Sequence, residues 1–304
     1  MRREAPDEAP DSENNGFEPL PGRPEVSDIG TAIRGDKPLP HHPGGRGYRP
    51  EVDGLRALAV LPVILFHAGV SGFTGGYIGV DIFYVISGYL ITSIIVEERL
   101  AGKFTLAGFY ERRARRILPA LFVVMALCLP LAWWWMLPGE LGDFGRSLVS
   151  VSLFASNVLF WRTSGYFGGT PELKPLLHTW SLGIEEQYYL FFPLLVAFLL
   201  PFGLKRLMMV IAILAILSFS LSVYLTTRQP MANFFLLPPR AWELFAGSLL
   251  ALMSMPGTSS SIAGPRHEAF GLAGIALILV PIFVYSDRTP FPGLTALPPS
   301  LERC

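Results

Sequence analysis

The sequence holds only two cysteines, Cys128 inside an apolar run and Cys304 at the last position, so no disulfide framework organises it. Charge is also scarce. Asp, Glu, Lys and Arg make up 16% of the 304 residues, and 24 basic groups balance 24 acidic ones. A formal net charge of zero offers no reason to expect a nucleic-acid partner. Residues 1–47 have almost no large apolar side chains and lack the basic-then-apolar layout of a cleavable signal peptide. Rich in Pro, Gly, Asp, Glu and Arg, this stretch cannot bury enough surface to offset its ordering entropy, and disorder is expected there. The pair His41-His42 inside it reads as linker, and no metal site is expected.

What is abundant is apolar length. Hydrophobic residues account for 51% of the chain, and runs of about 20 of them recur, each long enough to cross a hydrocarbon core of about 30 Å. The expected class is an all-α, polytopic helical membrane protein embedded in the lipid bilayer over residues 48–304. About eight transmembrane spans are expected, at 55–72, 76–96, 117–137, 144–161, 187–203, 207–226, 235–254 and 269–286. Arg46 and Arg49 precede the first span, and Arg99, Lys103 and Arg112–Arg116 fill the link between the second and third. The positive-inside rule sets both segments, and the N-terminus, in the cytosol.

Ionisable residues within such spans are costly, about 2.5 kcal/mol or more each, and so mark pathways or sites. Arg56 and His67 are eleven residues apart in the first span. That spacing turns through about three helical turns plus 20°, which puts both on one face with His67 about 16 Å deeper. Asp81 opens the second span after Gly75-Gly76; it reads equally as a helix cap, a partner of Arg56, or a carboxylate orienting His67. In the basic cluster, Arg113 and Arg116, like Arg112 and Arg115, are three apart on an expected helix. Paired guanidinium forks suit a phosphate-bearing ligand, while a solvated positive-inside loop is the plainer reading. His178 and Glu185, seven apart, share a helical face about 10 Å apart. Trp180, Tyr188 and Tyr189 read as an interfacial belt, and Arg240 with Glu243 as an intramembrane ion pair.

Five blocks occur in one order: EVDGLRALAVLPVILFHA, GGYIGVDIFYVISGYLIT, FYERRARRILPA, a run from SNVLFW to LLHTWSLGIEEQYYLFFPLL, and RAWELFAGSLLA. On these blocks the chain, from about Tyr48 to Pro298, resembles the membrane-bound acyltransferase family 3. That family includes bacterial O-acetylases of O-antigen, exopolysaccharide and peptidoglycan. The wording looks most like the branch whose membrane domain precedes a periplasmic SGNH-type domain; against that branch the chain, stopping at Cys304, reads as C-terminally shortened.

The resemblance implies a bacterial inner-membrane enzyme that takes acetyl groups from cytosolic acetyl-CoA and places them on an envelope-glycan hydroxyl. The family's arginine, ten residues, then histidine falls on Arg56 and His67, with the histidine essential for transfer. Its arginine-x-x-arginine element falls on Arg113 and Arg116 and is associated with the acyl donor. His67 is thus expected to act as base or transient acyl carrier, oriented by Asp81 or Glu185, with Arg56, Arg113 and Arg116 holding acetyl-CoA. A transporter or flippase, and a non-catalytic remnant, are the rival classes.

Overall fold

A computed structural model describes residues 50–164, 174–255, 274, 276 and 279–286. The expectations for residues 1–47, for part of 269–286 and for the last stretch before Cys304 lie outside the described residues. Among those described, all regular structure is helical. The helices are α1 (Pro50–His67), α2 (Gly79–Leu100), α3 (Leu106–Trp135), α4 (Pro138–Ser152) and α5 (Ser156–Thr163). They continue with α6 (Thr179–Leu199), α7 (Leu204–Arg228), α8 (Pro230–Phe235) and α9 (Leu237–Met253).

Among the described residues, four segments are long and apolar enough to cross a membrane: Gly76–Leu100, Leu106–Trp135, Thr179–Phe202 and Leu204–Arg228. The expected span at 144–161 is instead two helices, because Phe154 takes a left-handed φ of 51° and turns the chain between α4 and α5. The span expected at 55–72 ends at His67, where Gly69 and Gly72, at φ 69° and 97°, form a turn that glycine accepts without strain. The span expected at 235–254 is matched by α9, which begins two residues later, after Leu236, and has 17 residues. Helix α3 starts earlier than the apolar pattern suggests. Thr105 caps it by accepting from the amide of Gly108 at 3.2 Å, and the basic cluster then forms its first turns. With 30 residues, α3 is about 45 Å long, longer than the hydrocarbon it crosses. Phe122, Val123, Leu127 and Trp133–Trp135 stand exposed along it, as side chains facing lipid do.

Three helices run parallel. Tyr84, Ser87 and Arg99 of α2 bond Ser181, Glu185 and Ala197 of α6, at sequence offsets of 97, 98 and 98. Helix α9 joins them: Asp81 meets Arg240 and Gly88 meets Ser248 at offsets of 159 and 160, and Tyr188 meets Ser248. The approach of α2 to α9 is closed by two glycines. A Cβ on Gly88 would lie 1.9 Å from the Leu244 carbonyl oxygen, and one on Gly247 would lie 1.9 Å from that of Val85. Small residues are what let membrane helices come this close, since lipid supplies no hydrophobic drive between them. Helix α1 lies antiparallel to α2, with Ala59 over Gly79 and Pro62 over Gly76. Trp180, Tyr188 and Tyr189 are not an interfacial belt; they are buried in the shared core with Phe192, Leu207 and Leu244.

Candidate active site

The parallel helices place the ionisable residues in order along one axis. At one end, His67 is the last residue of α1. Its Nδ1 lies 2.8 Å from the Val63 carbonyl oxygen. A carbonyl only accepts, so Nδ1 carries the hydrogen and Nε2 is left with its lone pair. The group that orients His67 is therefore its own helix backbone, not Asp81 or Glu185. His178, the N-cap residue of α6, stands against it: the two imidazoles are 4.5 Å apart between centroids and nearly perpendicular, at 87°. Both residues are exposed on one side. Protein atoms crowding the other side of His178, together with the His67 ring, hold its pKa below the ordinary imidazole value.

Two turns further along α6, about 10 Å from His178, is Glu185. Ser87 Oγ of α2 donates to Glu185 Oε1 at 2.5 Å, and the hydroxyl of Tyr189 donates to the same oxygen. Arg56 of α1 is within electrostatic reach of Glu185 and of Arg116, and lies over the Phe83 ring at 5.4 Å. It also forms a loose pair with Asp53 at 3.9 Å. Arg56 and Glu185 thus lie within electrostatic reach of each other at mid-axis, while His67 sits eleven helical residues beyond Arg56.

At the opposite end the basic cluster divides by partner. Arg112 pairs with Glu98 and Arg115 with Glu111, each at 2.7 Å. Arg113 and Arg116 have no carboxylate within ion-pair distance among the described residues. Arg113 lies over the Tyr189 ring at 4.7 Å, and it lines a cavity of about 250 Å³ with Tyr110, Glu186 and Gln187. The i, i+3 pair that retains free cationic charge is thus Arg113 with Arg116.

Asp81 departs from every reading of it made from sequence. It makes no helix cap, and its carboxylate is fully buried against Arg240, 2.6 Å away, rather than beside Arg56. The Arg240–Glu243 ion pair is present at 3.2 Å. The same guanidinium is enclosed by Tyr84, Trp180 and Phe234 at 5.4–5.7 Å. This cluster ties α2 to α9. Sequence reasoning also missed the contact of His67 with His178 and the two hydroxyls on Glu185. His178 was paired with Glu185 because helical spacing was visible, whereas a contact across 111 residues leaves no local signal.

Comparison with known proteins gives a consistent family. A family model described as Acyl_transf_3, an acyltransferase domain, matches residues 49–300. O-acetyltransferase OatA of Staphylococcus aureus is 31% identical over 250 residues, covering 79% of this chain and 41% of that protein. Peptidoglycan O-acetyltransferase OatA of Listeria monocytogenes is 34% identical over 260 residues, covering 81% of this chain and 41% of that protein. The chain therefore spans less than half the length of these curated relatives. No solved structure matches it.

Proposed function

We propose that this chain, which belongs to the Acyl_transf_3 family of acyltransferase domains, moves an acetyl group from cytosolic acetyl-CoA to a hydroxyl of a cell-envelope glycan. Peptidoglycan is the acceptor class named for the Listeria relative, and O-antigen and exopolysaccharide are the others the resemblance brings. The enzyme sits in the bacterial inner membrane, with the N-terminus and the basic end of α3 facing the cytosol.

One observation carries this reading: the order of groups along the bundle. Arg113, with its i+3 partner Arg116, lies against Tyr189, eleven residues along α6 from His178 and so about 16 Å from the histidine end. Two cations with no carboxylate at ion-pair distance among the described residues, at the cytosolic end, suit the phosphates of the donor, since guanidinium forks bind them bidentately. Arg56 and Glu185 line the middle. His67 presents an unprotonated Nε2 at the far end, where an acceptor arrives from outside. A neutral imidazole there takes the acyl group or the hydroxyl proton, and either route needs the Nδ1–H tautomer that Val63 enforces.

The test is donor dependence in reconstituted membranes. Arg113→Ala and Arg116→Ala should raise the KM for acetyl-CoA while leaving the KM for the acceptor unchanged. An unaltered donor KM in both variants would remove the arginines from donor binding.

A further inference from the structure

The reaction proposed above leaves a chemical task without an owner. If His67 carries or contacts the acyl carbon, a second group must take the proton from the incoming hydroxyl. Hydroxyls are poor nucleophiles until a positioned base removes that proton. The carboxylates nearest the axis are already occupied. Glu185 accepts from both Ser87 and Tyr189, and Asp81 is buried with Arg240.

We propose that His178 is a catalytic base of the transfer, and that the acceptor hydroxyl binds beside the paired His67 and His178 imidazoles, on their exposed side. Several observations converge on this. The two rings come from separate elements, the C-terminus of α1 and the N-cap of α6, and meet at 4.5 Å between centroids. Their perpendicular arrangement is a ring contact, and no hydrogen bond joins the two imidazoles among the described residues, so neither ring consumes the lone pair of the other. Both side chains are open on one side, which leaves room for a substrate. The α6 end that holds His178 is fixed by the bond of Ser181 Oγ to the His178 carbonyl and by the Tyr84 hydroxyl on the Ser181 carbonyl.

The step balances as follows. The hydroxyl oxygen forms a bond to the acyl carbon as its proton passes to the basic nitrogen of His178. The bond from that carbon to its carrier breaks, and the electron pair stays on the leaving sulfur or on Nε2 of His67. His178 then releases the proton to the thiolate or to water. The charged groups around His178 leave this logic intact. From α1 it faces His67; Glu185 is two turns away on its own helix, and Arg240 of α9 touches Trp180 and is paired with Asp81 and Glu243.

This inference rests on the acyl-transfer reading and is tested so that the two can fail separately. Wild type, His67→Ala, His178→Ala and His178→Phe are compared in proteoliposomes with labelled acetyl-CoA and a glycan acceptor. His178→Phe keeps an aromatic ring against His67 but has no basic nitrogen. It should lose about 10²- to 10⁴-fold in transfer, and the ionisation of His178 should disappear from the acid limb of its pH–rate profile. Added imidazole should restore transfer to His178→Ala. If wild type turns over and His67→Ala does not, yet His178→Phe keeps the wild-type rate and pH profile, His178 is only a packing residue and the proposal is overturned. If wild type itself transfers nothing, the acyl-transfer reading falls, and this assignment falls with it.

Discussion

Replacing Arg240 by methionine tests the structural role assigned to the Asp81 cluster. Methionine replaces the apolar stem of arginine and deletes its charge. Arg240, Asp81 and Glu243 all have zero exposure, and one guanidinium nitrogen serves both carboxylates, at 2.6 and 3.2 Å. Removing one member of a buried ion pair costs about 3–5 kcal/mol, because it leaves buried charge without a counter-charge. Loss of the contacts to Tyr84, Trp180 and Phe234 adds about 0.5–2 kcal/mol. The expected loss is therefore about 3.5–7 kcal/mol, enough to unfold a marginally stable domain. Equilibrium unfolding in detergent micelles, followed by the fluorescence of the six tryptophans, measures it. Neutralising the orphaned acids in the same background, with Asp81→Asn and Glu243→Gln, should recover most of the loss. A single Asp81→Asn variant should lower stability but leave acyl transfer per folded molecule intact. An Arg240→Met protein within about 1 kcal/mol of wild type would refute the reasoning. So would an Asp81→Asn protein of normal stability that no longer transfers, since that outcome puts Asp81 in the chemistry.

Other expectations follow from the same packing. Gly88→Ala should destabilise by at least the 1–3 kcal/mol typical of overpacking, because its Cβ would meet the Leu244 carbonyl at 1.9 Å; unfolding in micelles reads it, and a neutral effect would mean α2 and α9 do not cross there. His178 has a folded pKa below its unfolded value, so the unfolded chain binds the proton first as pH drops below about 6.5. Wild type should consequently lose stability on acidification through that range, and His178→Gln should lose less, as compared by unfolding at pH 7 and pH 5.5.

Much of the bundle was legible from sequence because lipid imposes a simple rule: every spanning segment satisfies its own backbone, and the result is a visible apolar run. Helices α2, α3, α6 and α7 were found this way. Runs that only look long enough were the failures. Phe154 breaks one run by taking a positive φ, which no glycine or proline advertised, and the turn at Gly69 and Gly72 ends another at His67. At the site, the spacing of Arg56 to His67 and of Arg113 to Arg116 was readable because each pair lies on one helix. The Arg240–Glu243 pair was readable for the same reason. Asp81 was not, since its partner is 159 residues away and became adjacent only through the glycine-lined approach of α2 to α9. The Val63 carbonyl that sets the His67 tautomer was equally invisible, because any helical histidine has a carbonyl four residues back and only the rotamer decides whether it is used.

The central claim is that His67 performs acyl transfer at the end of a polar path that begins at Arg113 and Arg116. Its most direct test follows labelled acetyl from acetyl-CoA into glycan by the 304-residue chain in proteoliposomes, beside a His67→Ala variant shown to be inserted and folded. The account predicts transfer by the wild type and a loss of about 10³-fold or more in the variant, the scale of removing an acid–base or nucleophilic imidazole. Equal transfer by both proteins would contradict it.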